Sequence, residues 1–205
     1  MLQSLFDTVM ERRSRQLMEQ VGPWLPAEGP VLDLGSGTGH LSARLKRELG
    51  LEVITADVSD LHVVGPAPVL IADGVLPFEE ATFSAALLCF MLAYPNDPSG
   101  LLAEVARVTR GPIILVQSLH SGRLGYAWLR VREFLWTVVA FHVSQFLGYL
   151  SPEAKFTMQT RRFYTAQTLG RDLAAAGLSI RSQRNRPVLP GRSLVIAGLM
   201  VERDG

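Results

Sequence analysis

The chain has 205 residues, 48% of them hydrophobic and 19% charged, a globular composition long enough for one domain with a sizeable core. Twenty basic against 19 acidic residues leave a formal charge of +1, which supplies no global field for a polynucleotide. Cys89 is the single cysteine; this excludes an internal disulfide and a cysteine metal cluster and suits a reducing, cytoplasmic setting.

Residues 1–28 read as an N-terminal helical segment. The stretch MLQSLFDTVMERRSRQLMEQV carries charges where a secretory leader would be apolar, and it sets Leu2, Leu5, Phe6, Val9 and Met10 on one helical face. Strand and helix signals then alternate. PVLDLG is a short apolar run; HLSARLKRELG is a helix with Leu41, Leu45 and Leu49 at spacing four and Gly50 as its stop. LEVITAD and APVLIAD are strands ending at Asp57 and Asp73, and TFSAALLCFML is a longer apolar strand in which Cys89 packs. DPSGLLAEVARVTR is a helix capped by Asp97 or Ser99, and GPIILVQS is the next strand. After an interruption, TAQTLGRDLAAAGL is a helix with Thr165 as cap and Gly177 as stop. SIRSQRNRPV and RSLVIAGLMVER follow as antiparallel strands joined through Pro190 and Gly191. Repeated alternation with continuously apolar strands predicts an α/β three-layer sandwich on a mostly parallel sheet.

In such a sheet ligands sit beyond the carboxyl ends of the strands. The first of those turns, VLDLGSGTGH, is stripped of side chains at Gly35, Gly37 and Gly39, which lets main chain approach a ligand. A dinucleotide fingerprint is G-x-G-x-x-G; here the third glycine comes one residue early and His40 stands in its place. Asp33 would repel a pyrophosphate and suits a cationic ligand, an ammonium or a sulfonium. Both features count against a nicotinamide-dependent oxidoreductase.

VLDLGSGTGH resembles motif I of the class I S-adenosylmethionine-dependent methyltransferases, D/E-x-G-x-G-x-G, matched by Asp33, Gly35, Gly37 and Gly39. IADGVLPFEEATFSAALL and EVARVTRGPIILVQ are similar to that family's later motifs; the likeness is specific over 30–117, looser over 163–201 and absent over 118–160. It implies a Rossmann-like seven-stranded sheet of order 3-2-1-4-5-7-6 with the last strand antiparallel, and S-adenosylmethionine as cofactor. It implies that Asp33 holds the methionine end, although Asp33 also reads as a carboxylate capping the glycine turn. Asp57 would take the ribose hydroxyls, Val58 the adenine face, and Asp73 with Gly74 the adenine amino group. Three departures stand out: Ser84 replaces the usual Asp, no Asn-Pro-Pro-Tyr follows the fourth strand, and SDLHVVGPAP replaces the helix after Asp57. With the near-neutral charge, the missing amine motif disfavours a nucleic-acid substrate.

Methyl transfer requires a base only where the acceptor must lose a proton. The weak candidates are Tyr94 and His120, at the ligand edge, with His142 and Tyr164 behind them; the four histidines show no metal-ligand spacing. Residues 118–160 form an apolar helical insert after the fifth strand, uncharged from 134 to 150 and apolar on every helical face through Trp136, Phe141 and Phe146. This run is shorter than the roughly 20 apolar residues of a membrane span, so it must be buried as a lid, in a homodimer interface or against a membrane surface. Each choice favours a small, apolar or lipid-like acceptor methylated at O, C or N. The expected whole is a single methyltransferase domain, cytoplasmic with possible membrane association; a non-catalytic S-adenosylmethionine-binding protein is the alternative.

Overall fold

The structure is a computed structural model that describes residues 2–72, 74–135, 160–188 and 194–203. Seven strands form one sheet in the order β3-β2-β1-β4-β5-β7-β6. They are β1 Val31–Leu34, β2 Val53–Asp57, β3 Val69–Leu70, β4 Ala85–Cys89, β5 Ile113–His120, β6 Leu178–Pro187 and β7 Leu194–Arg203. β7 runs antiparallel to both β5 and β6; the remaining pairs are parallel. This is the predicted order, and it follows from the alternation: parallel neighbours need helical crossovers, whereas β6 and β7 are too close in sequence to be joined by one.

The helices are α1 Leu2–Val21, α2 His40–Leu49, α3 Pro98–Val108, α4 Gly122–Leu135 and α5 Ala166–Ala175. They cover both sheet faces. Leu32 and Leu34 of β1 pack with Leu102 and Val105 of α3 and with Leu169 and Leu173 of α5. Val31 turns the other way, among Leu17 and Val21 of α1 and Leu41 and Leu45 of α2. Two-residue alternation along β1 therefore sends Asp33 to the α2 side.

Local signals place the ends. Asp97 caps α3 by accepting from the Gly100 N–H at 2.9 Å. Thr165 and Thr168 form a reciprocal capping box on α5. Gly50 ends α2 in the left-handed region.

Four expectations are corrected. The strand expected over APVLIAD to Asp73 is only the two residues Val69–Leu70 of β3. The buried face of α1 runs through Met10, Ser14, Leu17 and Val21, while Val9 points outward. The rotation has a polar cause: buried Arg44 of α2 donates Nε to Ser14 Oγ at 2.9 Å and pairs with Glu11 and Glu48. The strand expected over TFSAALLCFML stops at Cys89, because Phe90 is left-handed at φ 62° and Met91–Ala93 form a 3-10 turn. Leu49, in the last turn of α2 before its Gly50 stop, is exposed rather than inward. The 190–191 turn, His142 and the core of the apolar insert lie outside the described residues. Among the described residues, no helix is long and apolar enough to cross a membrane.

Candidate active site

The turn from Gly35 to Gly39 joins β1 to α2, and its three glycines have φ of 72°, 55° and 78°. They do different work. A Cβ on Gly35 would stand 2.8 Å from Met91 Cβ, and one on Gly39 would strike the Val64 carbonyl. Those two positions let neighbouring chain pack closely. A Cβ on Gly37 would meet nothing within 4 Å, so the middle of the turn bares main chain to open space. Helix α2 starts immediately after it without a side-chain cap, and its first N–H groups are available to a ligand.

Asp57 ends β2 beside that opening. One carboxylate oxygen accepts from Gly37 N–H at 2.9 Å and the other from Val58 N–H at 2.8 Å. Burial nevertheless pushes its carboxyl above the usual range, opposed by these main-chain donors. Val58 follows with 55% of its surface exposed, too open for a core residue. Gly74 is exposed with φ 73° and open space where a Cβ would stand; Asp73 lies outside the described residues. Asp33 is only 2% exposed and accepts from Ser42 Oγ of α2. Desolvation pushes its carboxyl up to about 6, with the Ser42 bond opposing and the Asp57 charge adding.

The irregular 58–68 segment closes over the turn. Val63 and Val64 donate to the Thr38 carbonyl at 3.1 and 3.3 Å. His62 Nδ1 lies 2.5 Å from the Pro66 carbonyl and Nε2 lies 2.8 Å from Ser36 Oγ. A ring nitrogen against a carbonyl must donate, so Nδ1 carries hydrogen and, in the neutral ring, Nε2 accepts from Ser36. His40 is buried with its Nδ1 3.0 Å from Thr38 Oγ1, a packing role at the start of α2.

Across the Phe90–Met91 turn lies a cavity of about 260 Å³. Arg13 and Leu17 of α1, Phe90, Gln117 and Ser118 of β5, and Arg132 of α4 are among its lining. Arg13 stacks over the Phe90 ring with Cζ 4.9 Å from the centroid. Tyr94 lines this cavity, and burial raises its phenol pKa, which favours the protonated form at neutral pH. His120 does not line it; its ring meets Tyr126 at a tilt with centroids 5.3 Å apart, and its Nδ1 is buried without a hydrogen-bond partner among the described residues. Tyr164 also borders the cavity, but its hydroxyl serves Asp172 at 2.8 Å and the Leu92 carbonyl at 3.3 Å. Arg13, Gln117 and Arg132 escaped the sequence reading. Gln117 and Ser118, polar residues closing an otherwise apolar strand, were the available signal.

A mostly parallel sheet of this order with one reversed strand, with a bare glycine turn after its first strand and a carboxylate at the tip of its second, defines the class I methyltransferase architecture. The chain belongs to the family described as "Methyltransferase domain", whose model matches residues 6–183, and the cofactor of that class is S-adenosylmethionine. An uncharacterised methyltransferase of Mycobacterium tuberculosis is 31% identical over 160 residues, covering 65% of this chain and 64% of that protein. The chain thus spans less than two thirds of that relative's length. Among solved structures, the cyclase SpnF shares the fold at a TM-score of 0.65 and 16% identity, over 95% of this chain and 81% of that one. So does geranyl diphosphate C-methyltransferase of Streptomyces coelicolor, solved with Mg2+, geranyl diphosphate and S-adenosyl-L-homocysteine (TM-score 0.60, 12% identity, 94% and 79% coverage).

Proposed function

We propose that this chain transfers the methyl group of S-adenosylmethionine to the O, C or N atom of a small molecule with an apolar body, by in-line displacement. The observation that carries the reading is the arrangement of two openings on either side of one turn. Gly35 packs on Met91, Gly37 bares main chain on one side, and Phe90 lines the 260 Å³ cavity on the other.

The residues present fit the cofactor. Gly35, Gly37 and Gly39 with the start of α2 would cradle its methionine end. Asp57 has lone pairs left for ribose hydroxyls beyond the two N–H groups it already accepts, and charge-assisted bonds of this kind are the stronger ones. Val58, Asp73 and Gly74 would border the adenine. Asp33 acts from beneath α2 as a buried negative charge. When bound, the cofactor supplies a sulfonium-activated methyl, so the protein need not activate the electrophile. The protein's part is alignment, which is worth on the order of 7–11 kcal/mol at best, and exclusion of water by Phe90, Leu129 and Ile196. Tyr94 holds its proton and can donate a hydrogen bond to the acceptor.

Helix α4 supports the apolar acceptor. It turns Leu129, Arg132 and Glu133 to the cavity, while Leu124, Trp128, Val131 and Leu135 form an exposed apolar stripe on its far side. Such a stripe suits peripheral contact with a membrane from which an apolar acceptor is drawn. The test is transfer of radiolabelled methyl from S-adenosylmethionine to a panel of quinones, prenyl compounds and long-chain acids, beside transfer RNA and small polar amines. Turnover confined to the RNA or the amines contradicts the reading. Cofactor binding without turnover on any member favours the non-catalytic alternative.

A further inference from the structure

We infer that the acceptor molecule is uncharged where it meets the end of β5 and presents an O–H or N–H donor there, received by the Gln117 carboxamide oxygen. The inference rests on the acceptor cavity proposed above and names the chemistry of what enters it.

The backbone sets the position. β4 pairs with β5 only from Ala86 beside Ile113 to Cys89 beside Val116, while β5 runs on to His120 along β7. Gln117 is thus the first residue of β5 beyond the end of β4, at the carboxyl edge where such a sheet takes ligands. Alternation along the strand puts Gln117 on the face of Leu115 and Leu119, and Ser118 on the face of Ile114 and Val116. Both residues line the cavity, which therefore curls around β5 where β4 no longer covers it.

The charged and hydroxyl groups around it are engaged within the protein. Burial lowers the pKa of Arg13 and of Arg132, and the Glu133 carboxylate in the same wall opposes that shift in both, so these charges compensate one another. Arg132 donates Nη2 to Ser118 Oγ at 2.8 Å, and Thr160 Oγ1 donates to Glu133. Arg162 donates to the Pro95 and Asn96 carbonyls at 3.3 and 2.8 Å. The Tyr164 hydroxyl serves Asp172 and the Leu92 carbonyl. Gln117 differs: it is 5% exposed, and its Oε1 is buried without a hydrogen-bond partner among the described residues. A buried acceptor left without a donor is costly and uncommon in native folds. An anion would set a second acceptor against it, and an apolar group would leave it unmet. An ammonium could donate, but it would enter beside two guanidinium charges. A neutral O–H or N–H answers the oxygen without disturbing the charge balance. The rest of the wall is apolar, including Leu17, Phe90, Ala93, Leu129 and Ile196, and matches an apolar body behind that donor.

The experiment is isothermal titration of the full chain, saturated with S-adenosyl-L-homocysteine, with four ligands of matched length: octanol, octanamide, heptyl methyl ether and octanoate. Octanol, octanamide or both should bind about fivefold or more tighter than the ether, which accepts but cannot donate; that is the net worth of roughly one hydrogen bond. Octanoate should bind no tighter than the ether. The tighter of octanol and octanamide marks O–H or N–H as the donor. Gln117→Met, of similar length and without the carboxamide, should bring both donors to within about twofold of the ether. Gln117→Leu should do the same, and S-adenosyl-L-homocysteine affinity reports that each variant is folded. The ranking in the natural chain is a test independent of both variants. An ether that binds as tightly as the donors overturns the inference, since the amide would then present Nε2 rather than Oε1. Octanoate binding tightest overturns it too, as does a donor preference that persists in both folded variants. Cofactor binding without a donor preference removes this inference alone. A donor preference in a chain that does not take S-adenosyl-L-homocysteine would support the Gln117 site and remove the cofactor reading alone.

Discussion

Asp57 accepts the main-chain N–H of Gly37 at 2.9 Å, tying the end of the second strand to the bare centre of the glycine turn. The same carboxylate is the proposed ribose acceptor, so one side chain both shapes the cradle and serves it. Asp57→Asn halves its accepting capacity and gives it a donor aimed at other donors. S-adenosyl-L-homocysteine affinity should fall by about tenfold or more, with about 1–2 kcal/mol of stability lost. Calorimetry and chemical denaturation measure the two effects; an unchanged affinity would remove Asp57 from the site.

The glycines separate by role. At Gly39 a Cβ collides with the Val64 carbonyl, whereas at Gly37 it meets open space, and both residues sit at positive φ. Gly39→Ala should therefore destabilise the fold, by about 2 kcal/mol or more. Gly37→Asn, a residue that tolerates the left-handed region, should leave the melting temperature nearly unchanged and abolish S-adenosyl-L-homocysteine binding. Equal effects of the two substitutions on folding would contradict this division of labour.

Asp33 gives the chain a pH signature. Its carboxyl is raised to about 6 by burial, against about 3.9 in an unfolded chain. The folded state therefore binds its proton more tightly. The resulting stability is fully present below about pH 4 and is lost as pH rises through about 6. Asp33→Asn should consequently be more stable than the natural chain at pH 8, by about 1–3 kcal/mol, and show little advantage at pH 4. A cation bound nearby should lower the Asp33 pKa, so the substitution should also weaken S-adenosylmethionine more than S-adenosyl-L-homocysteine. Urea denaturation at the two pH values and paired titrations check both statements.

Tyr94 should not limit turnover as a base. Burial raises its phenol pKa, so methyl transfer should show no titration assignable to Tyr94 between pH 6 and 9, and Tyr94→Phe should keep the shape of the pH profile. A limb of that profile lost in Tyr94→Phe would restore Tyr94 as the base.

The sheet order and helix ends were readable because each had a local cause: apolar strands, Asp97 and Thr165 at helix starts, Gly50 and Gly177 at stops. The glycine turn was readable for the same reason, since three glycines and an acid lie within one short stretch. The cavity proposed for the acceptor was not. Arg13, Gln117 and Arg132 belong to three elements that meet only after the sheet has formed, and no spacing in the chain announces them. The face of α1 was misread because apolar periodicity over its first ten residues ignored Ser14, which is drawn inward by buried Arg44 thirty residues later. The early end of β4 has a backbone cause, the left-handed Phe90, that side-chain hydropathy does not encode.

Titration of the natural chain with S-adenosyl-L-homocysteine, followed by amide-exchange mapping, tests the central claim most directly. Saturable one-to-one binding that protects 35–40 and 57–58, and that is lost in Gly37→Asn, is the predicted result. No heat of binding, or protection confined to segments away from the glycine turn, would contradict it.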